Sequence, residues 1–214
     1  MVDFTGGTWR SLIDGSEVGA IPDPWPNSYL QDDFGDGVLE DREDTETTTH
    51  NGVTGVYRPE WTISGEPVVV DEKVVFSDGE TIEIDYDINT DEKTTWNWEN
   101  VSVDDTASER SFFFFWREDG DNRWQLSLRA DSNEIRVLKR VNGSFTEVMQ
   151  HSVSDFDNRD YRVVRDPADS SVDWELYLNG DLVDTATDDF TPDVNLYRLE
   201  SQSNDTVVDN LFVS

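Results

Sequence analysis

The chain contains one strongly apolar stretch, Arg110-Ser111-Phe112-Phe113-Phe114-Phe115-Trp116-Arg117-Glu118-Asp119-Gly120. Its five consecutive aromatic residues are too few for a membrane span, which needs about 20 apolar residues. Their number and type fit a β-strand, and Asp119-Gly120 predicts a turn directly after it. Because the apolar run is continuous rather than alternating, both faces of this strand should be covered, as in the middle of a packed sandwich. The alternative is that one face lines a ligand groove.

Short strand-like segments separated by turn signals continue to the end of the chain. Thr81–Ile88 alternates between apolar and acidic residues, and Arg123–Arg129 alternates between polar residues and the apolar Trp124, Leu126 and Leu128. Asn142-Gly143 and Asn179-Gly180 are two-residue hairpin signals. About a dozen such segments, with no convincing helical periodicity, predict an all-β fold. We expect a two-sheet antiparallel β-sandwich with an extended N-terminal arm.

Residues 1–31 differ from the remainder. Pro22-Asp23-Pro24-Trp25-Pro26 disfavours a helix or a central strand. Fully extended, 31 residues reach about 100 Å, so this arm either docks on a neighbouring subunit or lies across its own sandwich. We therefore divide the chain into a docking arm, 1–31, and a sandwich domain, 32–214. Within the sandwich, the acidic and threonine-rich residues 41–51 are predicted to form an exposed loop.

The charge is extreme, with 48 acidic and 16 basic residues and a net charge of −32. Aspartate accounts for 31 of the acids, whereas lysine occurs three times. Such a charge opposes the compact state in dilute buffer, but at molar salt the Debye length falls to roughly 3 Å and the repulsion is screened. The composition therefore predicts a protein of a high-salt environment. It disfavours nucleic-acid binding, which needs a basic surface, and the absence of cysteine excludes disulfides.

No secretory signal is evident, because the first residues lack both a basic and an apolar region. The sequence also contains no apolar run long enough to insert in a membrane. We therefore expect the protein to reach its site of action by another route, such as assembly into a particle.

Four motifs occur in a characteristic order: Asp32-Asp33-Phe34-Gly35-Asp36-Gly37, Arg123-Trp124-Gln125-Leu126-Ser127-Leu128, Trp174-Glu175-Leu176-Tyr177-Leu178-Asn179-Gly180 and Val208-Asp209-Asn210-Leu211-Phe212-Val213. In this order they resemble the concanavalin A-like lectin/glucanase superfamily, in particular its laminin G-like and family-16-like jelly rolls, over residues 32–214. The resemblance implies two antiparallel sheets, one of them concave, with the first and last strands adjacent. Residues 1–31, with Ser11-Leu12-Ile13-Asp14-Gly15, are similar to the N-termini of virion proteins of haloarchaeal tailed viruses.

A candidate catalytic motif is Glu83-Ile84-Asp85-Tyr86-Asp87. It resembles the Glu-x-Asp-x-Glu motif that family-16-like glycosidases carry on a strand of the concave sheet. In retaining glycosidases two carboxyl groups about 5–5.5 Å apart act as nucleophile and acid/base. Here the last position is Asp87, which is shorter by one methylene, and no tryptophan closely precedes the motif. In a chain with 31 aspartates, alternating acids also arise on a solvated face, so we predict no catalytic residues and no enzyme.

The candidate ligand-binding residues combine aromatic rings with hydrogen-bonding side chains. Tryptophan rings stack on the C–H faces of sugars, while amide and guanidinium groups bind the hydroxyls. The alternative for the tryptophans is that they belong to the core. The candidates are Trp96, Trp98, Trp116, Arg123, Gln125 and Arg129.

A structural Ca²⁺ is implied by the resemblance, because members of this superfamily often hold one where the first and last strands meet. Asp33 and Asp209 match those positions, and oxygen ligands suit Ca²⁺. His50 and His151 are isolated from one another and from cysteine, which argues against zinc.

Taken together, these features predict a non-enzymatic surface protein of the virion of a halophilic virus, as a capsid decoration, turret or tail fibre component. Its arm would bind other virion proteins, and its lectin-like domain would bind a host surface glycan or glycoprotein. We expect a homo-oligomer at the virion surface or in an extracellular, high-salt setting. The alternative is a secreted haloarchaeal carbohydrate-binding or glycoside hydrolase domain.

Overall fold

Strands account for the regular structure of the chain, and no helix occurs in its described residues. The structure, a computed structural model, describes residues 2–3, 10–11, 30–41, 46–50, 53–57, 59–88, 93–103, 112–117, 119–167, 171–190, 194–203 and 205–213. Within these ranges some strand side chains lie outside the description, including those of Tyr86, Asp87, Phe113, Phe115 and Arg117. None of the described segments is a helix that could cross a membrane.

Twenty strands occur in the described residues. They are β1 (Val2–Asp3), β2 (Arg10–Ser11), β3 (Leu30–Asp32), β4 (Glu46–His50), β5 (Val53–Tyr57), β6 (Thr62–Ser64), β7 (Val68–Val70), β8 (Lys73–Phe76), β9 (Thr81–Ile88), β10 (Thr94–Val101), β11 (Phe112–Arg117), β12 (Arg123–Arg129), β13 (Glu134–Val141), β14 (Ser144–Ser152), β15 (Arg159–Pro167), β16 (Val172–Leu178), β17 (Asp181–Asp188), β18 (Val194–Ser201), β19 (Thr206–Val208) and β20 (Asn210–Val213).

Two large sheets form the sandwich. One has eight strands in the order β17-β16-β15-β10-β20-β3-β5-β4, and the other has seven in the order β14-β13-β12-β11-β18-β9-β6. A three-stranded sheet, β19-β8-β7, and the β1-β2 pair are separate. The pairings are antiparallel except for β3 with β5, and β3 lies beside β20 with Asp32 opposite Leu211. The predicted all-β, two-sheet sandwich is confirmed, as is the adjacency of its first and last strands.

The phenylalanine-rich strand β11 lies inside the seven-stranded sheet, between β12 and β18. Phe112, Phe114 and Trp116 are 0% exposed and fill the space between the sheets. Phe113 and Phe115 occupy the alternate register positions. The predicted central strand is therefore confirmed, and its inward face is the one that carries Trp116.

Stacked rings join the two large sheets. Trp116 of β11 lies 4.7 Å from Trp96 of β10, measured between ring centroids, and Trp124 of β12 lies 4.0 Å from Trp174 of β16. Aromatic contacts of this kind contribute beyond the area that they bury. The core is therefore an aromatic layer built from both sheets.

A buried hydrogen bond adds to this layer. The indole Nε1 of Trp98 on β10 donates to the hydroxyl of Tyr197 on β18. Burial raises the pKa of the Tyr197 hydroxyl far above its usual range. The phenol therefore stays neutral and serves as a structural partner of the indole.

Both predicted hairpins form. Asn142 and Gly143 have φ of 49° and 81°, and Asn179 and Gly180 have φ of 51° and 86°, as a two-residue turn with two left-handed positions requires. The predicted loop at residues 41–51 is wrong from Glu46 onward, because Glu46–His50 forms strand β4 against β5. Threonine favours strands, and Asn51-Gly52 repeats the hairpin signal.

Little of the predicted arm is described. In residues 1–29, β1 and β2 pair with each other, and the rest of this range lies outside the described residues. Strand β3 begins at Leu30, so the sandwich includes the last two residues of the predicted arm. Docking of the arm on a neighbour stays a prediction.

Candidate functional site

The first superfamily-like motif provides a structural anchor. Asp32 is fully buried, its Oδ1 accepts a hydrogen bond from the backbone N of Phe34 at 2.9 Å, and its Oδ2 accepts one from Nε1 of Trp61 at 2.5 Å. A buried carboxylate is stable only with such donors. Asp32 therefore fixes the start of the sandwich, a role that the sequence analysis did not assign to it.

Asp33 and Asp209, the residues predicted to bind Ca²⁺, each make other contacts, and binding of Ca²⁺ by them stays a prediction. The Oδ1 of Asp33 accepts a hydrogen bond from the backbone N of Gly35 at 3.1 Å. The Oδ2 of Asp209 accepts one from Nδ2 of Asn100 at 2.8 Å and lies 3.5 Å from Nζ of Lys73. Calcium takes six to eight oxygen ligands, whereas Asp209 faces a cation. Among the described residues no three potential ligands are grouped to hold a metal.

The three candidate tryptophans lie in the core. Trp96 is 1% exposed, and Trp98 and Trp116 are 0% exposed. A ring sealed between two sheets has no face on which a sugar can stack. All three therefore belong to the core, and the prediction that they stack on a sugar is wrong.

The three candidate polar residues are brought together. Arg123, Gln125 and Arg129 alternate along β12 with the inward-facing Trp124 and its apolar neighbours, so they share the outer face of the seven-stranded sheet. Gln125 is nevertheless 3% exposed, and Ser127 between it and Arg129 is 0% exposed. The outer face thus carries two buried polar residues, Gln125 and Ser127, which we call the polar floor.

Two atoms of the polar floor have no hydrogen-bond partner among the described residues. They are Oε1 of Gln125 and Oγ of Ser127. Leaving a buried polar group unsatisfied costs about 1–3 kcal/mol, and such groups are rare enough in proteins to require an explanation. The polar floor therefore holds two unsatisfied polar atoms just beneath the outer face, which a ligand reaches only when the side chains above them move.

Arginines flank the polar floor on both sides. Arg136 on β13 lies opposite Ser127, and Arg198 on β18 lies one strand beyond β11. Each arginine side chain is 26% exposed. The polar floor thus lies below the longer side chains of Arg136 and Arg198, which are partly exposed to solvent.

Carboxylates hold these arginines in place. Arg136 donates from Nε to Oε2 of Glu134 at 2.9 Å, and this contact, followed by one from Ser132, lowers the pKa of Glu134. Arg198 lies 2.9 Å from Oε2 of Glu200 through Nη2. The guanidinium of Arg129 likewise lowers the pKa of Asp131. The outer face therefore carries oriented guanidinium groups.

The candidate catalytic strand adjoins the same face. Oε2 of Glu83 accepts a hydrogen bond from Nη1 of Arg198 at 3.5 Å. Asp85 is exposed, and the side chain of Asp87 lies outside the described residues. Glu83 thus takes part in the arginine network.

Two residues that the sequence analysis missed complete the face. Arg140 on β13 lies opposite both Arg123 on β12 and Phe145 on β14. The Cζ atoms of Arg123 and Arg140 lie 5.3 Å and 5.2 Å from the centroid of the Phe145 ring. The two-residue turn at Asn142-Gly143 was the signal, since it sets Arg140 opposite Phe145.

The eight-stranded sheet also has a polar outer face. Across it, Tyr177, Arg162, Asn97 and Phe212 occupy successive register positions. The Cζ of Arg162 lies 3.7 Å from the Tyr177 ring centroid, and Nδ2 of Asn97 has no partner among the described residues. This face is the main competitor as a ligand surface.

No protein-family model matches the chain, and no curated protein sequence matches it. Solved structures do match. An endo-1,3-β-glucanase from Streptomyces sioyaensis is 12% identical with a TM-score of 0.55, and the match covers 90% of this chain and 96% of that one. The carbohydrate-binding module CBM66 from Bacillus subtilis is 18% identical with a TM-score of 0.50, covering 71% and 91%. The exoplasmic/lumenal domain of VIP36, bound to Ca²⁺ and Man3GlcNAc, is 12% identical with a TM-score of 0.52, covering 72% and 83%.

These matches define the class of fold. The chain has the concanavalin A-like jelly-roll fold, which confirms the resemblance over the sandwich. It is the fold of lectins, carbohydrate-binding modules and a glucanase. At these identities the likeness establishes the fold alone.

Proposed function

We propose that this protein binds a glycan, without hydrolysing it, on the outer face of its seven-stranded sheet. The observation that carries the proposal is the polar floor, Gln125 and Ser127, with its two unsatisfied buried atoms. A sugar hydroxyl that displaces the side chains covering the polar floor supplies the missing donor to Oε1 of Gln125 or Oγ of Ser127. Binding then removes the cost of leaving these atoms unsatisfied.

Arginines supply the complementary donors. Guanidinium groups are planar donors with several N–H bonds, and those of Arg123 and Arg129 lie on the same face as the polar floor. The resemblance to family-16-like proteins favours this face too, because their carboxylate motif lies on the concave sheet and β9, which carries Glu83, belongs to the seven-stranded sheet.

Matched substitutions on the two outer faces test the proposal. Gln125→Leu removes the amide from the seven-stranded sheet, and Asn97→Leu removes a comparable amide from the eight-stranded sheet. On a glycan array in molar salt we expect Gln125→Leu to weaken binding on the order of tenfold, the worth of one or two hydrogen bonds. Asn97→Leu should leave binding unchanged. The reverse pattern would place the site on the eight-stranded sheet.

A second candidate function is glycoside hydrolysis. It is favoured by the acidic positions of β9, Glu83, Asp85 and Asp87, together with the glucanase whose fold this chain shares. Incubation with a β-1,3-glucan, followed by measurement of reducing ends, tests it. We expect no hydrolysis by the wild-type chain. Activity that disappears in Glu83→Gln would replace the binding proposal with an enzymatic one.

We further propose that the domain is displayed on the virion of a halophilic virus, with residues 1–31 docked on other virion proteins in a homo-oligomer. The net charge of −32 and the excess of aspartate over lysine support the high-salt setting. The melting temperature should rise between low and molar NaCl, and an equal melting temperature at both salt concentrations would count against a high-salt setting. Truncation of residues 1–26 tests the docking arm and should abolish assembly. Mass spectrometry of purified virions tests the location and should detect the chain.

A further inference from the structure

Three arginines occupy one row across the seven-stranded sheet. Arg117 on β11 lies opposite Arg123 on β12, which lies opposite Arg140 on β13, and Phe145 on β14 ends the row. Like charges directly opposite one another on neighbouring strands are destabilising. With 48 acidic and 16 basic residues in the chain, acidic neighbours were readily available. The row therefore needs an explanation other than stability.

Contacts bring two of these guanidinium groups close together. Arg123 donates from Nη1 to the backbone O of Gly120 at 3.4 Å, and Arg140 donates from Nη1 to the same oxygen at 2.6 Å. Both also lie near the Phe145 ring, within the range of cation–π attraction. Two positive charges thus share one carbonyl and one ring.

Arg140 is paired with one exposed carboxylate. The Nη2 of Arg140 lies 3.3 Å from Oδ1 of Asp121, whose side chain is 68% exposed, and exposed pairs of this kind contribute little. The Nε of Arg140 is buried and has no hydrogen-bond partner among the described residues. The Arg140 side chain is 26% exposed, so it is partly open to a ligand beside the Arg123 guanidinium.

The surrounding loops hold this arrangement. The backbone N of Gly143 donates to the O of Asp121 at 3.1 Å, and the N of Asn142 donates to Oδ1 of Asn122 at 3.2 Å. The turn between β13 and β14 is thus tied to the loop that provides Gly120. The arginine pair is pre-organised, which lowers the cost of binding.

We infer that Arg123 and Arg140 bind the carboxylate or sulfate group of an acidic sugar, whose apolar face contacts Phe145. The inference rests on the proposed glycan-binding function and names its ligand class. Guanidinium groups match the geometry of such anions, and Phe145 is 47% exposed, so apolar surface lies beside them. At molar salt the long-range repulsion from the −32 charge is screened, whereas contacts at hydrogen-bond distance persist.

Paired probes test the inference with the full chain in molar NaCl. Tetragalacturonate is compared with its neutral methyl ester, and a sulfated galactan oligosaccharide with its desulfated form, by titration calorimetry. We expect at least one acidic probe to bind on the order of tenfold more tightly than its neutral partner, as charge-assisted hydrogen bonds permit. Whether the carboxylated or the sulfated probe shows the preference identifies the source of the anion.

Substitutions locate the contact. Arg140→Gln should abolish the preference for the acidic probe over its neutral partner. Arg140→Lys, which keeps the charge but loses the planar donors, should retain an intermediate preference and guards against a folding defect in the first variant. Arg162→Gln is the matched control, because it removes a guanidinium stacked on an aromatic ring of the other sheet, and it should retain the full preference.

The outcomes separate this inference from the proposal beneath it. Equal affinity for acidic and neutral probes would overturn the anionic ligand and leave glycan binding in place. A preference that survives in Arg140→Gln would also overturn it, since the anion would then lie elsewhere. Absence of binding both to these probes and on the glycan array would overturn the proposed function together with the inference.

Discussion

The two faces of strand β12 are equally buried and chemically opposite. Its inward residues, such as Trp124 at 1% and Leu126 at 0% exposure, pack in the aromatic core, whereas its outward Gln125 and Ser127 are 3% and 0% exposed. The core also leaves polar atoms unsatisfied, among them the indole Nε1 of Trp124. There, however, each ring buries about 150–250 Å². Burial of apolar area stabilises the fold by roughly 25 cal/mol per Å², which offsets the cost of the unsatisfied Nε1.

The outward residues have no comparable compensation. Serine and glutamine bury little apolar area, so their unsatisfied atoms are a net cost to the fold. Burial alone therefore does not identify a core residue. The inner face of β12 stabilises the sandwich, while the outer face is the one that we propose contacts a ligand.

The largest effect should come from the inner face. Trp116→Ala removes a fully buried ring that stacks on Trp96, and such truncations cost about 3–5 kcal/mol. Urea unfolding in molar salt, followed by tryptophan fluorescence, measures the loss. A loss below about 1 kcal/mol, at the level of an ordinary surface substitution, would mean that the aromatic layer does not carry the fold.

Substitutions in the polar floor should have the opposite sign. Ser127→Ala and Gln125→Leu replace unsatisfied buried atoms with apolar ones, which is near neutral or stabilising. We expect unfolding free energies that are unchanged or raised by up to about 1 kcal/mol, while glycan binding falls. If either variant instead lost about 2 kcal/mol or more, as happens when a satisfied buried group is removed, the floor would be structural.

The smallest effect concerns a single carboxylate of the outer face. Because Arg136 lowers the pKa of Glu134, the ionised carboxylate stabilises the fold at neutral pH, and this contribution is lost as the pH falls through the lowered pKa. Carbon-detected NMR titration should give a pKa for Glu134 below its usual range, moving upward in Arg136→Gln. If Glu134 had the same pKa in the wild-type and Arg136→Gln proteins, Arg136 would not be the cause of the lowered pKa.

Sequence patterns predicted the sandwich because its signals are local. Alternation and the Asn-Gly turns fixed most strands, and the continuous aromatic run correctly marked β11 as a central strand. Alternation also placed Arg123, Gln125 and Arg129 on one face. The threonine-rich strand β4 was not predicted, because the acidic residues in and before it favour an exposed loop.

The site was only partly predictable, because its remaining features depend on pairing between distant strands. Trp96 and Trp98 were candidates for sugar stacking, since alternation says which residues share a face but not whether that face points inward. Arg140 and Phe145 acquire meaning only when β13 pairs with β12, which brings Arg140 beside Arg123. Asp209 matched a calcium position in sequence, yet Lys73, far away in the chain, lies 3.5 Å from its carboxylate.

The most direct test of the central claim is an amide NMR titration with the tightest-binding glycan of the array. The account predicts shift changes at Gln125, Ser127, Arg140 and Phe145 on the seven-stranded sheet, with the amides around Arg162 on the eight-stranded sheet unmoved. Changes confined to the neighbourhood of Arg162 would contradict the claim that the outer face of the seven-stranded sheet is the binding site.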